Sequence, residues 1–344
     1  GGVCLNYMKV NCLLKDAAGK INGVHAVDTL DGKEYQIKSK VVVNATGVFV
    51  DDVMKMDECD TRRKVRPSQG VHLVVDSKFL GGRSALMIPK TKDGRVLFGV
   101  PWHGKVVLGT TDTPLNEASL EPRALEEEVD FILDQAGQYL DRKPTRADVL
   151  SIFAGLRPLA APTHADSKKT KEISRNHKIY RSKSGLLTIT GGKWTTYRAM
   201  AEDVINQAIV IGGLSPAECV TKNLRVHGYT KEQFDENDWN YVYGSDADKI
   251  QKMIEKEPSF AEKLYEGYTF TAAHVVWAAR EEFAQNIEDV LARRVRMLFL
   301  DARAALKIAP KVASVLAAEL GKDKTWEQAQ IADFNRLARG YILN

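Results

Sequence analysis

The sequence predicts an α/β body combined with an antiparallel-sheet domain and followed by an all-α domain. Three observations lead to this fold class. Three consecutive valines at residues 41–43 precede Asn-Ala-Thr-Gly, a pattern typical of a buried parallel strand that ends in a tight turn. Short strands separated by turn residues fill residues 71–112. After about Arg225 only helical periodicity remains.

The first 47 residues predict a meander that leads into the valine strand. Strands are expected at residues 3–14, 24–30 and 34–37, with turn residues at 16–20 and at Asp31-Gly32. A parallel strand needs parallel neighbours, and no segment before residue 41 supplies one. The first residues, Gly-Gly-Val-Cys, also lack an initiator methionine. We therefore expect the whole protein to have further N-terminal sequence.

The remaining elements follow from alternation, helical periodicity and turn residues. Strands are expected at residues 71–76, 84–89, 95–100, 105–110, 149–159 and 178–190, the last of them broken at Ser184-Gly185. Helices are expected at 121–140 and from Gly191-Gly192 to about 211. Six helices follow, at residues 246–256, 272–284, 286–300, 302–308, 310–320 and 325–339, with Pro310 separating two of them. The predicted domains are residues 1–59 with 150–220, residues 60–149, and residues 225–344.

Composition excludes several classes of function. Lys+Arg 49 against Asp+Glu 45 leaves a net charge of +4, which is too small an excess to indicate nucleic-acid binding. The four cysteines form no CxxC pair and the histidines lack ligand spacing, so we expect no metal and no disulfide framework. No run reaches the roughly 18–20 apolar residues of a membrane span. Because no disulfide framework is indicated, a reducing cytosol is the default location.

The sharpest local motif is the junction of strand, glycines and helix at Gly191-Gly192-Lys193-Trp194-Thr195. Glycines allow a ligand to approach the backbone, and the start of a helix offers free N–H groups and the positive end of a dipole. This arrangement would suit the end of a flavin that gains negative charge on reduction. A tight turn with a threonine cap explains the same residues equally well.

Three further residues have a functional and a structural interpretation. Arg157, in an apolar strand, needs an anionic partner, which is either a substrate group or, more commonly, an internal carboxylate. Arg175 either joins Arg157 on a phosphate or is a solvated surface residue. His72, in an apolar strand, is either a hydrogen-bonded core histidine or a general base. The arginines at 293–296 are most simply a solvated or domain-docking face.

Taken in order, these motifs resemble the FAD-dependent glycerol-3-phosphate dehydrogenases. The resemblance spans nearly the whole chain and corresponds to the C-terminal two-thirds of such a protein, without its N-terminal Gly-x-Gly-x-x-Gly motif. The motifs are Val-Asn-Ala-Thr-Gly at 43–47, Gly-Val-His-Leu at 70–73, Gly-Thr-Thr-Asp at 109–112, Gly-Leu-Arg-Pro-Leu at 155–159, Gly-Gly-Lys-Trp-Thr-Thr-Tyr-Arg at 191–198 and Glu-Asp-Val-Leu-Ala-Arg-Arg at 288–294. The last two together are the most specific.

The resemblance implies a fold, an activity and partners. The fold is an FAD/NAD(P)-binding, Rossmann-like domain of amino-acid-oxidase type, with an antiparallel substrate domain and a C-terminal all-α domain. The activity is oxidation of sn-glycerol 3-phosphate to dihydroxyacetone phosphate by hydride transfer to FAD, with electrons passed to quinone. Peripheral contact with the inner face of the cytoplasmic membrane would accompany quinone reduction. A homodimer is left open, as are an oxygen-using oxidase and a non-catalytic fragment that acts as a binding or assembly module.

The resemblance also implies roles for individual residues. By likeness, the substrate-contacting positions are His72, Arg157, Arg175 and Lys193, and the catalytic ones are His72, Arg157 and Lys193. The flavin-facing positions are Thr46, Gly47, Gly192 and Thr195. Val48-Phe49 departs from the proline–tryptophan pair usual in the family, a modest change beside the flavin.

Overall fold

The computed structural model describes residues 2–91, 94–161, 176–232, 235 and 238–343. The chain divides into two compact units, which are described separately. Unit I comprises Gly1–Gln69, Asp112–Pro122 and Leu156–Leu224, and unit II comprises Gly70–Thr111, Arg123–Gly155 and Arg225–Asn344. Mixed sheets and a C-terminal helical region confirm the predicted fold class. The three-domain boundaries stay a prediction.

Unit I begins with the predicted antiparallel meander. Its strands are β1 (Met8–Lys15), β2 (Ile21–Asp28) and β3 (Glu34–Lys38), in the order β1-β2-β3. The Asp16 carboxylate closes the first turn by accepting the backbone N–H groups of Ala18 and Lys20, at 2.9 and 2.8 Å. This Asx-type turn sets the pairing in which Lys15 lies opposite Ile21.

A second small sheet in unit I joins segments that are far apart in sequence. Its strands are β4 (Val43–Asn44), β11 (Lys178–Arg181) and β12 (Leu187–Thr190), in the order β11-β12-β4. β12 runs parallel to β4, so the parallel neighbour of the valine strand lies downstream in the sequence. The three valines were expected to be buried on both faces, but each is half-buried, because β4 lies at the edge of this sheet. Helices α1 (Val50–Asp57) and α3 (Tyr197–Ile211) complete this part of unit I.

The larger antiparallel sheet has the order β10-β5-β8-β7-β6, with β9 paired to β5. Its strands are β5 (Val65–Asp76), β6 (Leu86–Ile88), β7 (Leu97–Trp102), β8 (Lys105–Gly109), β9 (Thr113–Pro114) and β10 (Val149–Ala160). In unit II, Leu73 and Leu108 pack against helix α2 (Glu126–Gly137) through Ile132. α2 begins five residues later than predicted, because the Glu128 carboxylate accepts the Leu125 N–H at 3.0 Å and caps the helix there.

The C-terminal part of unit II is helical, and no β-strand is assigned in its described residues. The helices are α4 (Ala247–Lys256), α5 (Ala272–Glu281), α6 (Met297–Leu300), α7 (Ala302–Leu320) and α8 (Lys324–Arg339). The prediction that Pro310 separates two helices was wrong, since it lies inside α7. The residues on both sides of the proline are buried: Ile308 and Ala309 before it, and Val312 and Ala313 after it. Their burial offsets the lost helix hydrogen bond.

The continuous helix predicted at residues 286–300 was also wrong. A π-helical turn runs from Asp289 to Arg294, and the Val295 N–H bonds to the Val290 carbonyl at 3.0 Å. Arg296 then adopts a left-handed backbone with φ 57°, and α6 begins after it. A π-turn inserts one residue into the helix, and such insertions are frequent at functional sites.

The end of α7 provides a test of helix capping. Gly321 follows the helix with φ 63° and ψ 38°, and a Cβ there would meet no atom within 4 Å. Gly321→Ala is therefore expected to cost about 1 kcal/mol of unfolding free energy from backbone strain alone. Urea unfolding measures this loss, and Gly321→Asn is the control, since asparagine tolerates the left-handed region. An equal loss in both variants would contradict the explanation.

Candidate cofactor and substrate site

Two turns of unit I leave the same edge of the small sheet. β4 and β12 are parallel, with Thr188 opposite Asn44, so the turns that follow both strands begin side by side. The buried Asn44 side chain holds the first turn, because its amide donates to the Val50 carbonyl at 2.9 Å and its oxygen accepts the Thr46 hydroxyl at 2.7 Å. Gly47 follows with φ 62°. The carboxyl edge of parallel strands is where open α/β sheets bind ligands.

The second turn contains two glycines whose backbone conformation strains any other residue. Gly191 and Gly192 have φ 76° and 72°. A Cβ on Gly191 would lie 2.9 Å from the Asn176 carbonyl oxygen, and one on Gly192 would lie 2.5 Å from the Met200 sulfur. The chain therefore needs glycine at both positions to enter the short helix Trp194–Thr196 and then α3.

The residues after these glycines face solvent. Lys193 and Thr195 are exposed, and Trp194 is 83% exposed while its ring stacks on Tyr197 at 5.2 Å. An exposed tryptophan is unusual for so large an apolar side chain. The N-terminal end of α3 is thus accessible, with a lysine and two aromatic rings beside it.

Arg157 meets an internal carboxylate in unit I. Its Nη1 lies 3.7 Å from Oδ1 of Asp112, and the hydroxyl of the buried Ser68 also donates to that carboxylate. The Arg157 side chain is nevertheless 36% exposed. An exposed guanidinium held by a hydrogen-bonded aspartate is oriented, and it can still meet an anion from solvent. The Gly-Thr-Thr-Asp motif thus supplies the carboxylate beside the Gly-Leu-Arg-Pro-Leu motif.

His72 lies in unit II, on β5. It is half-buried, and its imidazole stacks on the Phe153 ring at 5.2 Å with an interplanar angle of 20°. Gly109 is its partner on β8, and a Cβ on Gly109 would lie 2.4 Å from Cδ2 of His72. The Phe153 ring and the Gly109 backbone therefore both lie against the imidazole ring.

The structure places six of the predicted site residues in one unit, unit I. They are Thr46, Gly47, Arg157, Gly192, Lys193 and Thr195. The turns of Thr46 and Gly192 share one sheet edge, whereas His72 belongs to unit II. Arg175 lies outside the described residues. The sequence interpretation missed Asn44 and Phe153; the Asn-Ala-Thr-Gly run was a signal for the first, and no local pattern signals a stacking partner 81 positions away in the sequence (153 − 72).

Comparison with known proteins decides the family. A family model described as FAD dependent oxidoreductase matches residues 1–198, and one described as the C-terminal domain of alpha-glycerophosphate oxidase matches residues 187–328. A mitochondrial glycerol-3-phosphate dehydrogenase of Arabidopsis thaliana is 39% identical over 362 residues, covering 96% of this chain and 57% of that protein. The chain belongs to the FAD-dependent glycerol-3-phosphate dehydrogenase family. The human mitochondrial enzyme is 36% identical and is covered over 49% of its length.

A solved member of the family has the same fold. The glycerol-3-phosphate dehydrogenase from Bacillus halodurans, in complex with FAD, superimposes with a TM-score of 0.83 at 29% identity, covering 98% of this chain and 69% of that one. This chain spans about half the length of the curated relatives it matches. None of the helices described is both long and apolar enough to cross a membrane.

The residues of this chain fit one end of the family's cofactor, FAD. A planar ring system needs close backbone approach, which the positive-φ glycines at 47, 191 and 192 permit. Negative charge on such a ring is stabilised by the free N–H groups at the start of a helix. Both features lie at the carboxyl edge of β4 and β12.

Proposed function

We propose that the protein to which this chain belongs oxidises sn-glycerol 3-phosphate to dihydroxyacetone phosphate with FAD, and passes the electrons to quinone. The observation that carries the proposal is the pair of glycine-containing turns at the carboxyl edge of β4 and β12, in a chain of this family. When bound, FAD supplies hydride acceptance. The relatives in Arabidopsis and human are named for glycerol-3-phosphate dehydrogenation, and this supports the same substrate here.

The side chains have distinct proposed roles. Arg157, oriented by Asp112, binds the phosphate group or the oxygen at C2 of the substrate. Lys193, exposed at the start of α3, adds positive charge near the reduced cofactor and the substrate. His72 accepts the proton of the C2 hydroxyl. Arg175 is proposed as a second phosphate-binding residue on the resemblance alone.

Thr46, Gly47, Gly192 and Thr195 are proposed to face the flavin. Thr46 is anchored to Asn44, so its backbone presents a defined surface to the cofactor. Gly192 adopts φ 72° and has no side chain, so its backbone can be approached closely by a ligand in the turn. These residues bind and orient the cofactor and take no part in proton transfer.

Substitution of Arg157 tests the substrate assignment. In the full-length protein, Arg157→Ala is expected to raise KM for glycerol 3-phosphate about ten- to a hundredfold, since one charge-assisted contact is worth about 1.5–3 kcal/mol. Steady-state kinetics with an artificial electron acceptor measure the effect. The control is Arg336→Ala. It removes an exposed arginine whose only ion pair within the described residues is with Asp333. An equal loss with unphosphorylated glycerol would argue against phosphate binding.

The electron acceptor is tested separately. Quinone reduction without peroxide is the expected result, and stoichiometric hydrogen peroxide under air would identify an oxidase instead. A full-length protein that binds no FAD and oxidises nothing would favour the binding or assembly module. Peripheral membrane contact is expected to accompany quinone reduction and is measured by vesicle co-sedimentation.

A further inference from the structure

A second polar pocket lies wholly within unit II, apart from every residue assigned above. Its volume is about 340 Å³, and it lies between the turn that joins β7 to β8 and the helical segments. The lining residues that matter here are His103, Tyr243, Asp246, Glu282, Arg294 and Arg296. A volume of this size is typical of a small-molecule site and larger than a single bound water needs.

Three buried polar atoms of residues that line this pocket lack a hydrogen-bond partner among the described residues: the Tyr243 hydroxyl, Nδ1 of His103 and Oε2 of Glu282. Tyr243 is only 8% exposed, and burial raises the pKa of the Glu282 carboxyl. Buried polar groups are nearly always paired, so an unpaired hydroxyl and imidazole in one cavity indicate a ligand that bonds to them. A tyrosine hydroxyl donates to an anion, and a neutral imidazole donates through its protonated nitrogen.

The carboxylates that line the pocket are paired with cations other than Arg296. Asp246 forms an ion pair with Lys249, whose Nζ lies 2.7 Å from Oδ1, and its other carboxylate oxygen is hydrogen-bonded to Nε2 of His227. Glu282 faces Arg294, with Oε2 at 3.9 Å from Nε. Within the described part of the chain, Arg296 forms no ion pair, although the field of its guanidinium helps burial to lower the pKa of His103.

The backbone places Arg296 at this position at a conformational cost. It follows the π-turn of residues 289–294 and adopts a left-handed conformation, with φ 57° and ψ 20°. A non-glycine residue in this region is strained, and such strain concentrates at ligand sites. The π-turn and the strained arginine therefore give the pocket an exposed positive charge next to two buried hydrogen-bonding groups.

We propose that this pocket binds the phosphate group of a small anion, with Arg296 as the charge partner and with Tyr243 and His103 as hydrogen-bonding partners. Phosphate matches this set, since its oxygens accept several hydrogen bonds at once and carry the charge that an arginine binds most strongly. Phe270 and Val242 line the remaining volume and offer an apolar surface to an organic substituent. A phosphate monoester therefore fits the cavity better than the free ion.

Calorimetric titration of the full-length protein tests the site, with methyl phosphate as the probe. The protein carries Arg157→Ala in every arm, so that the proposed substrate arginine does not contribute. Arg296→Gln is expected to weaken binding at least tenfold, and Tyr243→Phe several-fold with the fold unchanged, while Arg336→Gln is the matched control at an exposed arginine. A parallel titration with inorganic phosphate identifies the source: tighter binding of methyl phosphate indicates an ester, and tighter binding of phosphate indicates the free ion.

Two results would overturn the proposal. One is an absence of methyl phosphate and inorganic phosphate binding to the parent protein. The other is an unchanged affinity in Tyr243→Phe together with an unchanged affinity in a folded Arg296→Gln; if Arg296→Gln does not fold, the result for Tyr243→Phe decides alone. Neither outcome depends on the proposed dehydrogenase activity, which is measured independently by its KM for glycerol 3-phosphate.

Discussion

Replacing His72 by asparagine in the full-length protein is expected to lower kcat for glycerol 3-phosphate oxidation about 10²–10⁴-fold, the usual contribution of a positioned general base. His72 is half-buried, and the Phe153 ring and the Gly109 backbone both lie against its imidazole ring. Asparagine has a similar size and keeps a polar group, but it cannot accept a proton near neutral pH. KM is expected to change little, because proton transfer contributes mainly in the transition state.

The measurement is the rate of flavin bleaching after anaerobic mixing with glycerol 3-phosphate. A pH series adds a second readout, since loss of the base should also remove the acid limb of the kcat profile. His25→Asn is the control, because His25 is a histidine of the β2 strand beside Glu34, at 3.2 Å. If His72→Asn retains the parent kcat and pH profile, His72 is a core histidine and the base is another group.

The second large effect concerns the stability of unit II in acid. His274 is 2% exposed, and burial lowers its pKa to about 4. Its Nδ1 accepts the backbone N–H of Thr271 at 3.0 Å, and its Nε2 lies 2.7 Å from Oδ1 of Asn240. The folded state therefore holds a neutral imidazole that is protonated on Nε2, and a second proton would break the bond from Thr271.

The direction in which stability changes with pH follows from proton linkage. Between pH 6.5 and pH 4 the unfolded chain binds a proton at His274 and the folded chain does not, so stability falls as the pH falls through this window. The full loss is about 3 kcal/mol, from about 1.4 kcal/mol per pKa unit. Below pH 4 both states are protonated, and this contribution no longer changes.

Urea unfolding at several pH values measures the effect through tryptophan fluorescence. Four of the five tryptophans, Trp102, Trp239, Trp277 and Trp326, lie in unit II and report on it. The matched variant is His274→Gln, which keeps an acceptor and a donor but cannot titrate. Its stability is expected to depend less on pH between 6.5 and 4 than that of the parent. Parallel pH curves for the two proteins would show that other groups cause the acid sensitivity.

Much of the fold follows from local sequence patterns. Alternation and turn residues predicted the meander and the strands of the antiparallel sheet, because a strand and its turn depend on neighbours a few residues away. The same holds for Gly191-Gly192, since only glycine tolerates their backbone conformation. The family motifs, met in order along the chain, predicted the family that the comparisons show.

Tertiary packing decided the features that local patterns mispredicted. Proline predicts a helix boundary, yet Pro310 lies inside α7 because buried residues on both sides stabilise the helix around it. Similarly, periodicity at residues 286–300 predicts one helix, and the π-turn with its left-handed Arg296 interrupts it. In both cases the energy of contacts with distant residues exceeds the local preference of the chain.

The sequence by itself determined the residue types of the site, the turns that need glycine and the family to which the chain belongs. Only the tertiary structure decided which side chains meet: Asp112 with Arg157, Phe153 with His72, and Arg296 with the pocket that contains Tyr243. The physical reason is the distance along the sequence over which each effect acts. Backbone conformation depends on a few adjacent residues, whereas a pair separated by 45 residues (157 − 112) forms only when strands and turns have placed both partners in the same unit.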